Sequence, residues 1–532
     1  AASWQETYNE PGAELFCLEY TPGNVEEVYA AGNRLLKSYD DGESWTDLTH
    51  LISLDTNFRP TRIAISLSPV APDSILVFCE AEDTTHINSN RKYLFLSVNG
   101  AQSFNRIHLL GDPFCSYWKM QLACSPTRSN EFYLGGMWLY KYRIESDSAH
   151  FIGNSIHTYH KDVRDLIVLP HQGNDRVYMG NDGGVTLSED GTLTYRDITR
   201  NGMQILQLYN ITVDDNSDNM FGGPQDGNVS FYNTKTGEWW KHPRIGDAYD
   251  GMINYQNPNE VYLVSFPPKI SKPHIFLMKS TDGGANFSYL TIPDSTETGR
   301  KDKPVAMDPE NPEIIYVGIQ QVWKSVNGGQ TFDRISNFSG NQKLIALKVS
   351  PSNPQVILAA FENPCWSNTT QPKLMITPDG GNRWFDITPR GQLDLRFAGV
   401  ADFAFHPDSS RKIWLALDHQ WVGRRVYVTD DGGISWKNHS EGLPPLPVNV
   451  IRYVKGAGID LLIAGTDIGV FYRDASMQAW VRFGDGLPLT IISDLEISYK
   501  RKKVIAATFG RGLWEADLCL PVSETAEIID KN

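Results

Sequence analysis

Seven times the chain repeats a short hairpin signature: a Ser or Thr, an Asp or Asn two residues later, usually Gly, then an aromatic. The clear copies run Ser38–Trp45, Ser280–Phe287, Ser325–Phe332, Thr377–Trp384 and Thr429–Trp436, with worn copies at Ser97–Phe104 and Ser188–Tyr195. The Asp or Asn accepts hydrogen bonds from N–H groups of its own turn, and the Gly residues take the positive φ such a turn needs. The aromatic opens the next strand and packs between sheets. One small sheet cannot bury its own faces, so a unit repeated every 40–50 residues or so needs neighbours. The pattern predicts an all-β chain: a β-propeller of four-stranded antiparallel blades.

Each unit follows one grammar. An apolar strand comes first, then a strand such as Ile314–Gly318, a third strand, the signature turn and an aromatic-led fourth strand. Units begin near Leu15, Arg62, Met120, Val163, Leu208, Gly251, Pro304, Leu344, Val400, Val450 and Leu495. The last runs short of a fourth strand, and Ser3-Trp4-Gln5-Glu6-Thr7-Tyr8 reads as an orphan one. Joining them would leave no open sheet edge. The expectation is one large ring of ten or eleven blades over residues 1–518, closed by both termini, with 519–532 as a connector. Two smaller interleaved propellers are the alternative.

The chain holds 48 Lys and Arg against 63 Asp and Glu, a formal charge of −15. With no basic run to offset it, nucleic acid is excluded as a partner. No stretch has the apolar length of a membrane span. The chain opens at Ala1-Ala2-Ser3-Trp4 without a signal peptide, as a mature form or an excised segment would. The six cysteines match no zinc spacing. Cys17, Cys79 and Cys124 sit in apolar runs as buried thiols, and Cys115 and Cys124 are close enough for a local bridge. Asn210-Ile-Thr212 and Asn368-Thr-Thr370 are sequons of a kind that arises by chance.

The hairpin signature resembles the Asp-box, or BNR repeat, of sialidases, sortilin and the xyloglucanases. A second set of residues carries the likeness further: His160-Lys-Asp162, Gly180-Asn-Asp182-Gly-Gly184, Gly223-Pro-Gln225-Asp226 and Gly246-Asp247. These resemble a pattern in successive blades of secreted bacterial propellers of the xyloglucanase and sortilin-like type, with Ala248 where that pattern has Gly. The resemblance implies an extracellular or cell-surface setting among other domains of a surface protein. The sialidase branch is a poor match, since its Arg-Ile-Pro motif is absent and Phe58-Arg59-Pro60 does not replace it.

In a four-stranded blade the signature turns fall on one face of the ring. The opposite face carries the strand-two-to-three loops, elongated at 82–92, 266–274, 362–373 and 417–425. There His160, Asp162, Asp165, Asp182, Asp226, Asp247 and Asp250 are expected to converge near the channel mouth, with Trp366 and Trp421 in two of the long loops. Asp beside Gly ordinarily serves as a turn cap, the expectation for Asp182. Such acids could also bind calcium through oxygen ligands, although no metal set is specified. The leading reading is a non-catalytic module binding a glycan or protein through His160, Asp162, Asp165, Asp226, Asp247, Asp250, Trp366 and Trp421. The other is an endo-acting glycoside hydrolase of xyloglucanase type, with Asp162 and Asp247 as its carboxylates.

Overall fold

The computed structural model describes residues 6–86, 89–111, 120–152, 159–199, 203–214, 216–217, 219–233, 236–242, 245–265, 276–293, 304–362, 372–388, 399–418 and 423–518. Among the described residues there is no α-helix, only strands and one 3-10 turn at Thr49–Leu51. No helix is long and apolar enough to cross a membrane.

The strands form antiparallel meanders in chain order, ten of four strands and a last one of three. They span residues 15–47, 58–109, 121–151, 163–197, 208–241, 248–289, 305–334, 344–386, 400–438, 448–482 and 492–517, and are called sheets one to eleven. Every start position read from the sequence falls in a first strand or one residue before it. Sheets two and three are also joined along their outer strands by a short parallel pairing, Ser148 to His108 and Ala149 to Leu109. This is a β-propeller-type architecture.

Alternation builds the core. In a strand covered on both sides, successive side chains serve different neighbours. In sheet three, Phe132 and Leu134 pack against Phe78 of sheet two, while Tyr133 packs with Val177 and Met179 of sheet four. In sheet six, Leu263 meets Phe221 of sheet five and Tyr262 meets Ile315 of sheet seven. Second strands are therefore nearly continuous apolar runs, as at Val261–Ser265 and Ile357–Phe361.

The chain divides into two compact units, residues 1–203 with sheets one to four and residues 204–532 with sheets five to eleven. In the second unit each sheet packs on the next, and the series returns to its start. Leu208, Ile211 and Met220 of sheet five pack against Ile505 and Ala507 of sheet eleven. Gln207 bridges to Phe509, and the N–H groups of Gly510 and Gly512 donate to Leu206 O. Sheet eleven thus has two neighbours, sheets ten and five, within residues 204–532. Its edge strand Leu513–Asp517 pairs with Lys503–Thr508 alone among the described residues, and Trp4 lies outside them.

Two expectations change, and a third point, the Asn210 sequon, agrees with a chance occurrence. The stretch 82–92 is mostly hairpin, paired out to Glu82 and Asn90, because strands 71–83 and 90–97 extend past their neighbours. Cys124 is a free thiol whose Sγ donates to Ser66 O at 3.5 Å, as are Cys17 and Cys79, and Cys115 lies outside the described residues. Asn210 is only 6% exposed, so its sequon is closed to modification in the fold.

Candidate functional site

The repeated turn explains itself atom by atom. Thr429 Oγ1, buried, accepts the N–H groups of Asp431 and Gly433 and donates to Asp431 Oδ1 at 2.7 Å. Asp431 in turn takes the N–H and the hydroxyl of Ser435 at 2.9 and 2.5 Å. The same bonds recur at Ser38/Asp40 and Ser280/Asp282. In the worn copies Ala101 and Thr192 occupy the Gly position with φ of 64° and 82°. The Asp282 carboxyl, hydrogen-bonded first by the Asn286 side chain and then by its N–H, is held down to about 2. A carboxylate so engaged is a turn element, not a reagent.

Of the residues singled out in sequence, His160, Asp162, Asp165 and Asp182 belong to the first unit and Asp226, Asp247 and Asp250 to the second. Trp366 and Trp421 lie outside the described residues. In the first unit Asp182 grips Arg164 through two bonds of 2.6 and 2.9 Å, so its partner is a guanidinium where backbone N–H groups were expected. The His160 ring lies against Gly183, where a Cβ would stand 2.5 Å from its Cγ, and Nδ1 is 3.1 Å from Lys161 O. Asp162 takes a positive φ of 67° while its N–H donates to Met137 O. Asp165 sits at a bulge of Val163–His171, the first strand of sheet four, and accepts the Leu166 N–H.

Asp165 has a neighbour that sequence reading missed. Glu19, on the first strand of sheet one, Leu15–Thr21, has its pKa raised to about 7, first by burial and then by the charge of Asp165. The only signal in the sequence was an acid inside an apolar first strand. A carboxyl held near neutrality beside a second carboxyl group is a recognised acid–base arrangement.

In the second unit Asp226 and Asp247 do meet. Asp247 Oδ1 accepts the Asp226 N–H at 2.8 Å, and Oδ2 accepts the Tyr249 hydroxyl at 3.3 Å. Gln225 Nε2 donates to the Asp226 carboxylate at 3.3 Å. Beside them Tyr209 stands 4.8 Å from Tyr249 and 5.9 Å from Phe509, centroid to centroid. These groups lie at the ends of second strands and the starts of first strands, opposite the signature turns. Asp250 plays another part. Its carboxylate accepts the N–H groups of Gly251 at 2.8 Å and of Val305, in sheet seven, at 3.2 Å. It is a link between sheets, and burial pushes its pKa up to about 7. Among the described residues no group of three or more His, Cys, Asp or Glu is placed to hold a metal ion.

No family model matches the chain. It is similar over 159 residues, at 26% identity, to the oligoxyloglucan-reducing end-specific xyloglucanase of Emericella nidulans, covering 27% of this chain and 18% of that enzyme. Over 70 residues it is 36% identical to a xyloglucanase of Hypocrea jecorina, covering 12% of this chain and 8% of that one. The chain thus matches less than a fifth of the length of either relative. Among the solved structures that align along nearly the whole chain are two GH74 enzymes. The GH74 xyloglucanase of Xanthomonas campestris does so at 14% identity, covering 97% of this chain and 99% of its own, with a TM-score of 0.29. The GH74 enzyme of Niastella koreensis aligns at 13% identity over 95% and 98%, with a TM-score of 0.29. The fold assignment rests on the chain's own sheets and their packing.

Proposed function

We propose that the chain is an extracellular β-propeller module that binds carbohydrate, with residues 208–517 as a closed seven-bladed ring and 15–197 as a four-bladed array. The ligand sits at the ring's loop-bearing mouth, on Tyr209, Tyr249 and Phe509 beside Gln225 and Asp226. One observation carries this reading: the mouth offers half-exposed aromatic rings, while Asp247 spends both oxygens on protein donors. Aromatic faces stack on the apolar face of a sugar, and nearby polar groups take its hydroxyls. The test is calorimetry and turnover on a panel of soluble polysaccharides. Binding without hydrolysis, weakened by Tyr249→Ala, is the expected result; absence of binding to every polysaccharide would sink the proposal.

A second reading, glycoside hydrolysis, draws support from Glu19 and Asp165 and from the names of the two curated relatives. Glu19, its pKa raised to about 7, would deliver its proton to the leaving oxygen, with Asp165 as the second carboxyl group of the pair. Turnover of xyloglucan that disappears in both Glu19→Gln and Asp165→Asn, with melting unchanged, would favour this reading over the first.

A further inference from the structure

A cleft of about 890 Å³ lies on the flank of the second unit, lined by the outer strand of sheet seven, the linker after it and sheet eight. Its wall is aromatic. Phe338 meets Phe361 edge-on at 5.0 Å and Trp384 edge-on at 5.1 Å. These rings are held from behind. The Trp384 Nε1–H donates to Ile335 O at 2.8 Å. The buried Gln321 amide accepts the Phe338 N–H at 2.7 Å and the Ser336 hydroxyl at 2.8 Å, and donates to Phe338 O at 2.9 Å. Trp384 is half-exposed, as are Trp45 and Phe287 at the same position of their own turns, whereas Phe332 and Trp436 are buried.

The rim is polar. Arg334, Lys373, Asn382 and Asp386 all line the cleft. The side chains of Arg334 and Lys373 have no hydrogen bond or ion pair to another described residue, in a chain where acids outnumber bases. A preorganised aromatic wall faced by planar amide, carboxylate and guanidinium groups suits a pyranose, whose ring stacks while its equatorial hydroxyls are read in the plane. We infer that this flank cleft is a saccharide-binding site, separate from the mouth of the ring, in which Trp384 stacks the sugar, Phe338 closes the corner beside it, and Arg334 and Asn382 bind its hydroxyl or carboxylate oxygens. The shared chemistry is a pyranose chain; neutral and uronic-acid oligosaccharides are the two sources.

The experiment titrates the full chain with cellohexaose and, separately, hexagalacturonate, following tryptophan fluorescence and heat. Arg334 and Asn382 are exposed, so the double variant Arg334→Ala, Asn382→Ala should fold normally. At least one oligosaccharide should bind, about tenfold more weakly in that variant, with the fluorescence change lost in Trp384→Phe and retained in Tyr249→Ala. Preference for hexagalacturonate would assign the cations to sugar carboxylates; preference for cellohexaose would assign them to hydroxyls. Binding unchanged in the double variant, or no binding of either compound, would overturn the inference. Binding that only Tyr249→Ala abolishes would overturn it while upholding the mouth.

Discussion

The Asp494 carboxylate accepts the main-chain N–H of Ile211, 283 residues away in sequence, at 3.1 Å. The same bond joins ordinary neighbours: Asp402 takes the N–H of Ile451 at 3.1 Å, and Asp250 that of Val305 at 3.2 Å. Each of the three Asp residues sits at the bulge of an innermost strand and reaches to the next sheet. Sheet eleven thus meets sheet five as sheet six meets sheet seven and sheet nine meets sheet ten. Arg452 ties two of these links together, with 2.6 Å to Asp402 and 2.7 Å to Asp494.

Asp494→Ala leaves a buried N–H without its acceptor and Arg452 without one of its carboxylates. Chemical denaturation should show a loss of about 1–3 kcal/mol for the orphaned donor, with a further penalty from the guanidinium. Asp494→Asn, which keeps an acceptor, should lose less. Equal stability of Asp494→Ala and wild type would mean that closure does not depend on this bond.

The turn glycines give a graded test. Gly284 has a φ of 95°, and a Cβ there would stand 2.5 Å from the Phe231 ring of the preceding sheet. Gly237 has a φ of 71° with nothing within 4 Å of its would-be Cβ. Gly237→Ala should cost about 1 kcal/mol from backbone strain alone, whereas Gly284→Ala should cost a further 1–3 kcal/mol or so from overpacking. Matching melting temperatures for the two variants would show that the ring yields.

The turn signature and the apolar runs made the sheets legible, because both are local: Thr429, Asp431, Gly433 and Ser435 satisfy one another within a few residues. The contact between sheets five and eleven was not legible. The decisive residues, Leu208, Ile211, Ile505 and Ala507, look like those of any other first or second strand, and their pairing is set by packing far along the chain. The candidate site divided in the same way. Asp226 and Asp247 were found because Gly flanks them in sequence, and that same flanking made Asp250 look like a mouth residue when its bulge turns it toward Val305. Glu19 carried no motif, since its raised pKa comes from burial and from Asp165, more than a hundred positions away.

Stability should respond to pH with opposite signs at two kinds of Asp. The Asp250 pKa rises from 3.8 to about 7 on folding, through burial first and repulsion by Asp494, partly offset by its N–H bonds and Arg452. Between about pH 4 and 7 the folded state then keeps a proton that the unfolded chain has lost, so stability falls as pH rises through that window. Asp282, held near 2, contributes stability that is present above about pH 4 and lost as pH falls toward 2. Thermal melts from pH 2 to 8 should show Asp250→Asn gaining on wild type between pH 4 and 7, and Asp282→Asn losing least at the acid end. An Asp250→Asn difference that stays flat with pH would remove Asp250 from this account.

The mouth of the second unit separates a holding residue from a binding one. Asp247→Ala strands the Asp226 N–H and the Tyr249 hydroxyl, so it should destabilise the ring by about 1–3 kcal/mol. Asp226 has a positive φ of 50°, which Asn tolerates far better than Ala. Asp226→Asn should therefore melt with the wild type while removing a charged acceptor from beside the aromatic rings. On a soluble polysaccharide that wild type binds, its affinity should drop about tenfold, the loss of one charge-assisted hydrogen bond. Asp247→Ala melting like wild type while Asp226→Asn unfolds would reverse the two roles. Unchanged affinity in Asp226→Asn would move the ligand off this mouth.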